Sequence, residues 1–175
     1  HIDFKKGEGL DCVATNTEKA LHKIRQKYEQ YGVKDEPYVY VKSDSGTFGM
    51  GIMTIKSGSE IYEMNKKLRN KMDRIKEGVQ NTEVLIQEGV PTSYKVEGKT
   101  AEPFLYLINN MPVGAILRVN ENRDEYGNLN SAGMSFAPAD CKHLAGPCEF
   151  TPLGIIARLA SLATLYEAEH MAEAA

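Results

Sequence analysis

The stretch Tyr38-Val-Tyr-Val-Lys-Ser-Asp-Ser-Gly-Thr-Phe-Gly-Met-Gly-Ile-Met-Thr-Ile55 decides how the rest of the chain is interpreted. Four β-prone residues run into Lys42, glycines follow at positions 46, 49 and 51, and a second apolar run covers residues 52–55. This order predicts a strand that ends in a lysine, a glycine-rich turn and a second strand.

The glycine-rich loop is suited to phosphate oxygens. Its glycines allow positive φ and a close backbone approach, while free N–H groups and the hydroxyls of Ser43, Ser45 and Thr47 can point into the concavity. A P-loop is not indicated, because its lysine follows the last glycine and opens a helix, whereas Lys42 precedes the glycines and ends a strand. A plain hairpin with one exposed lysine is the structural alternative.

Composition limits the function classes. A chain of 175 residues is sufficient for one domain with a sizeable core. The 21 Lys and Arg against 24 Asp and Glu give a net charge of −3, so no broad basic surface supports nucleic-acid binding. No apolar run approaches the roughly 20 residues of a membrane span, so we expect neither nucleic acid nor membrane as a partner.

The cysteine content and the first residue suggest the setting of the protein. Three cysteines are an odd number, and the N-terminus does not resemble a signal peptide, so we expect a reducing compartment, most simply the cytoplasm. Because the chain starts at His1 without an initiator methionine, we also expect it to be part of a longer protein.

Helical patterns lie on both sides of this stretch. One helix is predicted from Thr15, capped by Asn16 or Thr17, to Gly32. A second is predicted from Ser57 to just before Gly78, with an apolar stripe on one face and basic residues on the other. We interpret the basic face as solvent-exposed rather than as an anion-binding patch.

Strands follow the second helix. A short buried strand is predicted for residues 83–90, and a hairpin is predicted from the β-rich runs 103–108 and 113–119. Glu102 stands at the entrance of this hairpin and Arg118 near its exit, so both could face one side if the register permits. The structural alternative is a surface ion pair, worth less than about 1 kcal/mol.

The last third of the chain gives weaker signals. Residues 120–133 are polar and read either as a turn-rich connector or as a loop whose amides could bind an amino acid. Cys141, His143 and Cys148 supply only three zinc ligands at an unusual spacing, which disfavours a metal knuckle. A helix is predicted from Leu153 to about His170.

The order of these motifs over residues 38–136 resembles that of the ATP-grasp ligases. The segments Val41-Lys-Ser-Asp-Ser-Gly-Thr-Phe-Gly-Met-Gly51, Glu102-Pro-Phe-Leu-Tyr-Leu-Ile108 and Ser131-Ala-Gly-Met-Ser-Phe136 are similar to the proteobacterial glutamate–cysteine ligase family. The resemblance implies an α+β, ATP-grasp-like fold with antiparallel sheets flanked by helices, and a chain that is the C-terminal part of its family. It implies a helical lead-in at 1–37, a nucleotide-binding region at 38–136 and a C-terminal helical segment at 137–175.

The resemblance also implies roles for individual residues. Lys42 would hold phosphates, Glu88 would take the ribose hydroxyls and Arg118 would stabilise the transferring group. The implied nucleotide contacts are Lys42, Ser43, Ser45, Gly46, Thr47, Phe48, Gly49, Gly51, Gln87, Glu88, Gly89 and Val90. The implied amino-acid contacts are Asn128, Asn130 and Gly133, and the nearest Mg²⁺ ligands are Glu102 and Asn120. The chain departs from the ATP-grasp pattern because no strand with a late Glu-x-Asn pair is predicted after residue 136.

The activity implied by the resemblance is the joining of glutamate and cysteine to γ-glutamylcysteine, the first step of glutathione biosynthesis. ATP would phosphorylate the side-chain carboxylate of glutamate, and the cysteine amine would displace phosphate. Mg²⁺ and ATP are the implied cofactors, and small molecules are the implied partners. Two alternatives stay open: an ATP-grasp ligase for other substrates, and a nucleotide-binding module without turnover.

Overall fold

The computed structural model describes residues 1–45, 50–73, 78–139 and 151–173. The chain divides into two compact units. Unit 1 comprises His1–Pro91 and Tyr126–Ser131, and unit 2 comprises Thr92–Glu125 and Ala132–Ala175. Both contain an antiparallel sheet and helix, which confirms the predicted α+β class with antiparallel sheets. The segments 1–37, 38–136 and 137–175 stay predictions.

Unit 1 begins with helix α1 (Leu10–Tyr31). Its sheet has the order β2-β1-β3, built from β1 (Val39–Ser43), β2 (Ile52–Ile55) and β3 (Val84–Glu88). The helix ends at Gly32, as predicted, but it begins before Thr15 because Gly9 precedes it with a φ of 75°. A Cβ at Gly9 would lie 2.6 Å from the carbonyl oxygen of His1, so this turn requires glycine.

The second predicted helix is broken in the structure. A 3-10 helix covers Gly58–Ile61, and α2 covers Lys66–Asp73. Ser57 and Glu60 form a reciprocal capping box at the start of the first piece. Asn65 Oδ1 accepts a hydrogen bond from Leu68 N at 2.9 Å and so starts a new helix instead of extending the old one.

The core of unit 1 lies between α1 and one face of the sheet. Leu21, Val39 and Val41 are completely buried. The buried apolar cluster consists of Ile2, Phe4, Leu10, Val13, Ala14, Leu21, Ile24, Val39, Val41, Met53, Ile55, Ile61, Met64 and Met72. Burial of this kind fixes the register of β1, because a slip of one residue would turn its apolar side chains to solvent.

Unit 2 contains a sheet with the order β4-β5-β6-β7. Its strands are β4 (Lys95–Val96), β5 (Lys99–Ile108), β6 (Met111–Asn120) and β7 (Met134–Pro138). The predicted hairpin is present, and Asn109 and Asn110 form its turn with φ of 48° and 61°. Strand β7 follows the polar segment and was not predicted.

Helix α3 (Pro152–Glu173) completes unit 2. Thr151 Oγ1 accepts a hydrogen bond from Gly154 N at 3.0 Å and caps its start. None of the helices in the described ranges combines the length and apolar character needed to cross a membrane. Residues 46–49 of the predicted flap, and Cys141, His143 and Cys148 of the disfavoured zinc motif, lie outside the described residues.

Candidate functional site

The sheet of unit 1 has two different faces. Val39 and Val41 are buried on the α1 side, so the alternating residues Tyr40 and Lys42 point to the opposite face. Lys42 lies directly between Ile52 on β2 and Leu85 on β3. We call this second side the Lys42 face, and its remaining members by register are Thr54 and Gln87.

Lys42 carries a positive charge on this face without a carboxylate beside it in the described part of the chain. Its Nζ donates a hydrogen bond to Gln87 Oε1 at 2.6 Å, and no ion pair of Lys42 is found there. The side chain of Leu85 beside it is 45% exposed. The face therefore offers a cation, an amide and apolar surface together, and it brings together two of the predicted nucleotide contacts, Lys42 and Gln87.

The described residues at the two ends of the predicted flap differ in burial. Ser43 is buried on the face opposite Lys42, and its N–H already donates to the Gly51 carbonyl at 2.9 Å. Ser45 is exposed, and Gly51 is buried with a φ of 63°. Gly51 thus shapes the return of the chain, while the phosphate contacts of Ser43 and Ser45 stay predictions.

Glu88 lies on the α1 side of the sheet. It pairs in register with the buried Val39, and its carboxylate forms an ion pair with Lys27 of α1. The pKa of nearby Tyr28 is raised, first by burial and then by the negative charge of Glu88. Glu88 and Lys42 therefore occupy opposite faces of the sheet, and the predicted contact between Glu88 and ribose remains a prediction.

Gly89 follows β3 where the chain meets Tyr38. Its N–H donates to the Tyr38 carbonyl at 2.9 Å, and a Cβ at this position would lie 2.0 Å from the Tyr38 ring. Only glycine fits this approach without a shift of the ring. The next residue, Val90, is 72% exposed.

The segment Tyr126–Ser131 is held against the sheet of unit 1 by aromatic residues. The Tyr126 ring packs edge-on against Tyr38, with centroids 5.3 Å apart, and Tyr40 Oη donates to the Tyr126 carbonyl at 3.0 Å. Sequence reasoning missed this anchor. The available signal was a single aromatic ring within an otherwise polar connector.

Asn128 and Asn130, the predicted amino-acid contacts, lie in this anchored segment. Asn128 Oδ1 accepts a hydrogen bond from Asn130 N at 3.0 Å, which is an Asx turn. Leu129 between them is 2% exposed and secures the turn. The Asn128 side chain thus shapes the loop, and the half-buried Asn130 follows it.

Arg118 and Glu102 lie opposite each other on β6 and β5 of unit 2, as the predicted register required. Arg118 Nη1 donates to Glu102 Oε1 at 2.7 Å, and the guanidinium carbon lies 4.2 Å from the centroid of the Phe104 ring. Phe136 of β7 is opposite Arg118 on its other side. The Arg118 side chain is only 14% exposed, so these contacts hold a cation in a fixed orientation.

Asn120 and Gly133 lie close together in unit 2. Asn120 is fully buried, and its Oδ1 accepts a hydrogen bond from Asn122 N at 3.0 Å. Gly133 has a φ of 91°, and a Cβ there would lie 2.4 Å from Asn122 Nδ2. Both residues shape the turn before β7, and their assigned roles in metal and amino-acid binding stay predictions.

The residues proposed for Mg²⁺ fit the ion only in part. No group of three or more His, Cys, Asp or Glu side chains suited to a metal occurs in the ranges the structure describes. The side chain of Glu102 is 35% exposed, and its carboxylate, which pairs with Arg118, could supply one ligand. The oxygen of Asn120 is buried and already accepts a hydrogen bond. Mg²⁺ commonly uses one or two carboxylates and completes its shell with substrate phosphates and water.

Comparisons with known proteins agree with the resemblance. The family model GshA, glutamate-cysteine ligase, matches residues 1–168. A crystal structure from Methylobacillus flagellatus KT, of a protein provisionally named gamma-glutamylcysteine synthetase, matches with 36% identity and a TM-score of 0.79. The match covers 97% of this chain and 43% of that one, so the chain spans less than half of that protein's length. No curated protein matches. The extent of the family match shows that the chain belongs to the glutamate-cysteine ligase family.

Proposed function

We propose that this chain contributes the nucleotide-binding part of an ATP-dependent ligase of the ATP-grasp type that joins glutamate and cysteine. The observation that carries the proposal is the Lys42 face. It presents an amine, bonded to the neutral amide of Gln87, on a sheet surface that is otherwise partly apolar. A triphosphate needs the cation, and a nucleobase needs an apolar surface with amide groups at its edge.

Lys42 and Gln87 of the Lys42 face have proposed roles. Lys42 neutralises phosphate charge, and the covering role of residues 46–49 stays the prediction made from the sequence. Gln87 and the backbone of residues 88–90 contact the base, although the N–H of Gly89 is already bonded to Tyr38. Asn130 offers an amide to the amino-acid substrate.

Arg118 of unit 2 is proposed to stabilise the group being transferred. A guanidinium matches the geometry of phosphoryl oxygens, and in the structure its orientation is fixed by Glu102 and Phe104. Its Nε is buried and makes no hydrogen bond to the described residues. Catalysis of this kind depends on positioning and on charge neutralisation rather than on a protein nucleophile.

The proposed reaction has two steps. The γ-phosphoryl group of ATP is transferred to the side-chain carboxylate of glutamate, which gives an acyl phosphate and ADP. The amine of cysteine then attacks the acyl carbon, phosphate leaves, and γ-glutamylcysteine forms. We assign Glu102 as a ligand of a Mg²⁺ ion, which would neutralise phosphate charge. A cytoplasmic location is part of the same proposal.

The test is phosphate release by the chain with ATP and Mg²⁺. Release that requires both glutamate and cysteine is expected, and omission of either amino acid should reduce it to background. Equal release with other amino-acid pairs would instead indicate a ligase for other substrates. Failure of the chain to bind ATP would contradict the proposal, whereas binding of ATP without release under any pair would indicate a nucleotide-binding module without turnover.

A further inference from the structure

We propose that Tyr38 is a positioning residue that holds two candidate substrate-binding segments, Gln87–Val90 and Tyr126–Ser131, against each other beside the Lys42 face. The inference rests on the proposed function for what the segments bind. It does not depend on that function for the packing itself, which can be measured separately. It gives a positioning role to Tyr38, Tyr40 and Tyr126, which the predicted site did not include.

The position of the Tyr38 ring supports this role. Tyr38 is completely buried, although it stands just before the first residue of β1. Its ring contacts Tyr40 on its own strand and Tyr126 in the returning segment, with centroid distances of 5.5 Å and 5.3 Å. The interplanar angles of 84° and 80° are edge-to-face arrangements, which stabilise aromatic pairs beyond simple burial.

Gly89 packs directly on the same ring. A Cβ built on Gly89 would lie 2.0, 2.3 and 2.4 Å from three Tyr38 ring atoms. The chain after β3 therefore runs across the Tyr38 ring with no space for a side chain. Because Gln87 and Glu88 immediately precede this contact, a shift of the ring must move the end of β3.

Tyr40 links the Tyr38 ring to the Lys42 face. Tyr40 and Lys42 point to the same side of β1, and Tyr40 Oη bonds to the Tyr126 carbonyl at 3.0 Å. The Asx turn of Asn128 and Asn130 begins two residues further along. The buried Tyr38, with the half-buried Tyr40 and Tyr126, thus connects the end of β3 with the start of this turn. The candidate base contact and the candidate amino-acid contact are therefore placed together.

The test compares two glycine substitutions and two tyrosine substitutions in the full chain. Gly89→Ala forces the Tyr38 ring to move, and Gly114→Ala is its control, because a Cβ at Gly114 meets no atom within 4 Å. Tyr40→Phe removes the hydroxyl that donates to the Tyr126 carbonyl, and Tyr106→Phe is its control, because Tyr106 of unit 2 is 53% exposed and lies outside the candidate site. The readouts are amide hydrogen exchange of residues 126–131, the Kd of a non-hydrolysable ATP analogue, and the split between KM and kcat.

We expect Gly89→Ala to accelerate amide exchange in residues 126–131 about tenfold and to raise the Kd of the ATP analogue about tenfold. Gly114→Ala should change neither quantity by more than about twofold. Tyr40→Phe should raise the KM for glutamate about fivefold at nearly constant kcat, and Tyr106→Phe should leave that KM unchanged. A purely structural role would not produce this split.

Unchanged exchange in residues 126–131 of Gly89→Ala would overturn the inference, and so would an unchanged KM for glutamate in Tyr40→Phe. If Gly89→Ala does not fold, the Tyr40→Phe result decides alone. If the unsubstituted chain binds no ATP analogue, the proposed function fails, while the exchange measurements still decide whether Tyr38 positions the two segments.

Discussion

The two units are stabilised in different ways. Among the residues that the structure describes, fourteen buried apolar side chains form one cluster in unit 1, whereas three, Ala101, Leu117 and Val119, form the corresponding cluster in unit 2. Unit 2 depends more on strand pairing, above all between the two ten-residue strands β5 and β6. It also leaves many apolar side chains exposed: Phe104, Tyr106, Ile108, Met111, Val113, Met134, Phe136, Ile155, Ile156, Leu159, Leu162, Leu165, Tyr166 and Met171.

This difference extends to the candidate functional residues. Lys42 stands on a strand whose other face is packed into the large cluster, so the strand beneath it is held by burial. Arg118 is instead held by its own neighbours, a carboxylate and an aromatic ring. The comparison teaches that the two proposed phosphate contacts should respond differently to changes in their surroundings.

The largest expected effect tests the difference between the cores. Leu21 is completely buried in unit 1, so Leu21→Ala should lower the free energy of unfolding by about 3 kcal/mol through lost burial and a cavity. Ile108 of unit 2 is 67% exposed, and Ile108→Ala should change the free energy of unfolding by less than about 0.5 kcal/mol. Urea unfolding measures both, and equal effects would remove the distinction drawn between the units.

A second prediction sharpens the account of Arg118. Arg118→Met should reduce phosphate release about 100-fold, which corresponds to about 2.7 kcal/mol of transition-state stabilisation, while the unfolding free energy changes by about 1 kcal/mol or less. Arg25→Met is the matched control, since Arg25 also pairs with a glutamate but is half exposed on α1. Steady-state kinetics and urea unfolding of both variants separate the two roles. A kinetic loss matched by an equal loss of stability would make Arg118 a structural residue.

The sequence predicted the parts of the fold that are set by local patterns. A run of four β-prone residues before Lys42 identified β1, the Asn109-Asn110 turn lies between the two runs of the hairpin, and Gly32 marked the end of α1. Each of these signals acts within a few residues. The sequence could place Arg118 and Glu102 on the same side of the hairpin only if the register permitted it. The structure meets that condition, because the two residues are direct cross-strand partners.

The rest depended on contacts between distant residues. The break between the 3-10 helix and α2 depends on Asn65, which looks in the sequence like one more polar residue on a helix. Glu88 pairs with Lys27, which is 61 residues away in the chain, and no local pattern predicts that ion pair. The anchoring of Tyr126 to Tyr40 spans 86 residues, and no local pattern encodes it.

The most direct test of the central claim is calorimetric titration of a non-hydrolysable ATP analogue into Lys42→Ala. Loss of one charge-assisted phosphate contact should weaken binding by about 2 kcal/mol, or roughly 30-fold. Lys23→Ala, which makes the same charge change on the exposed surface of α1, should bind the analogue as the unsubstituted chain does. Equal affinity of Lys42→Ala and Lys23→Ala would contradict the assignment of the Lys42 face as the nucleotide site.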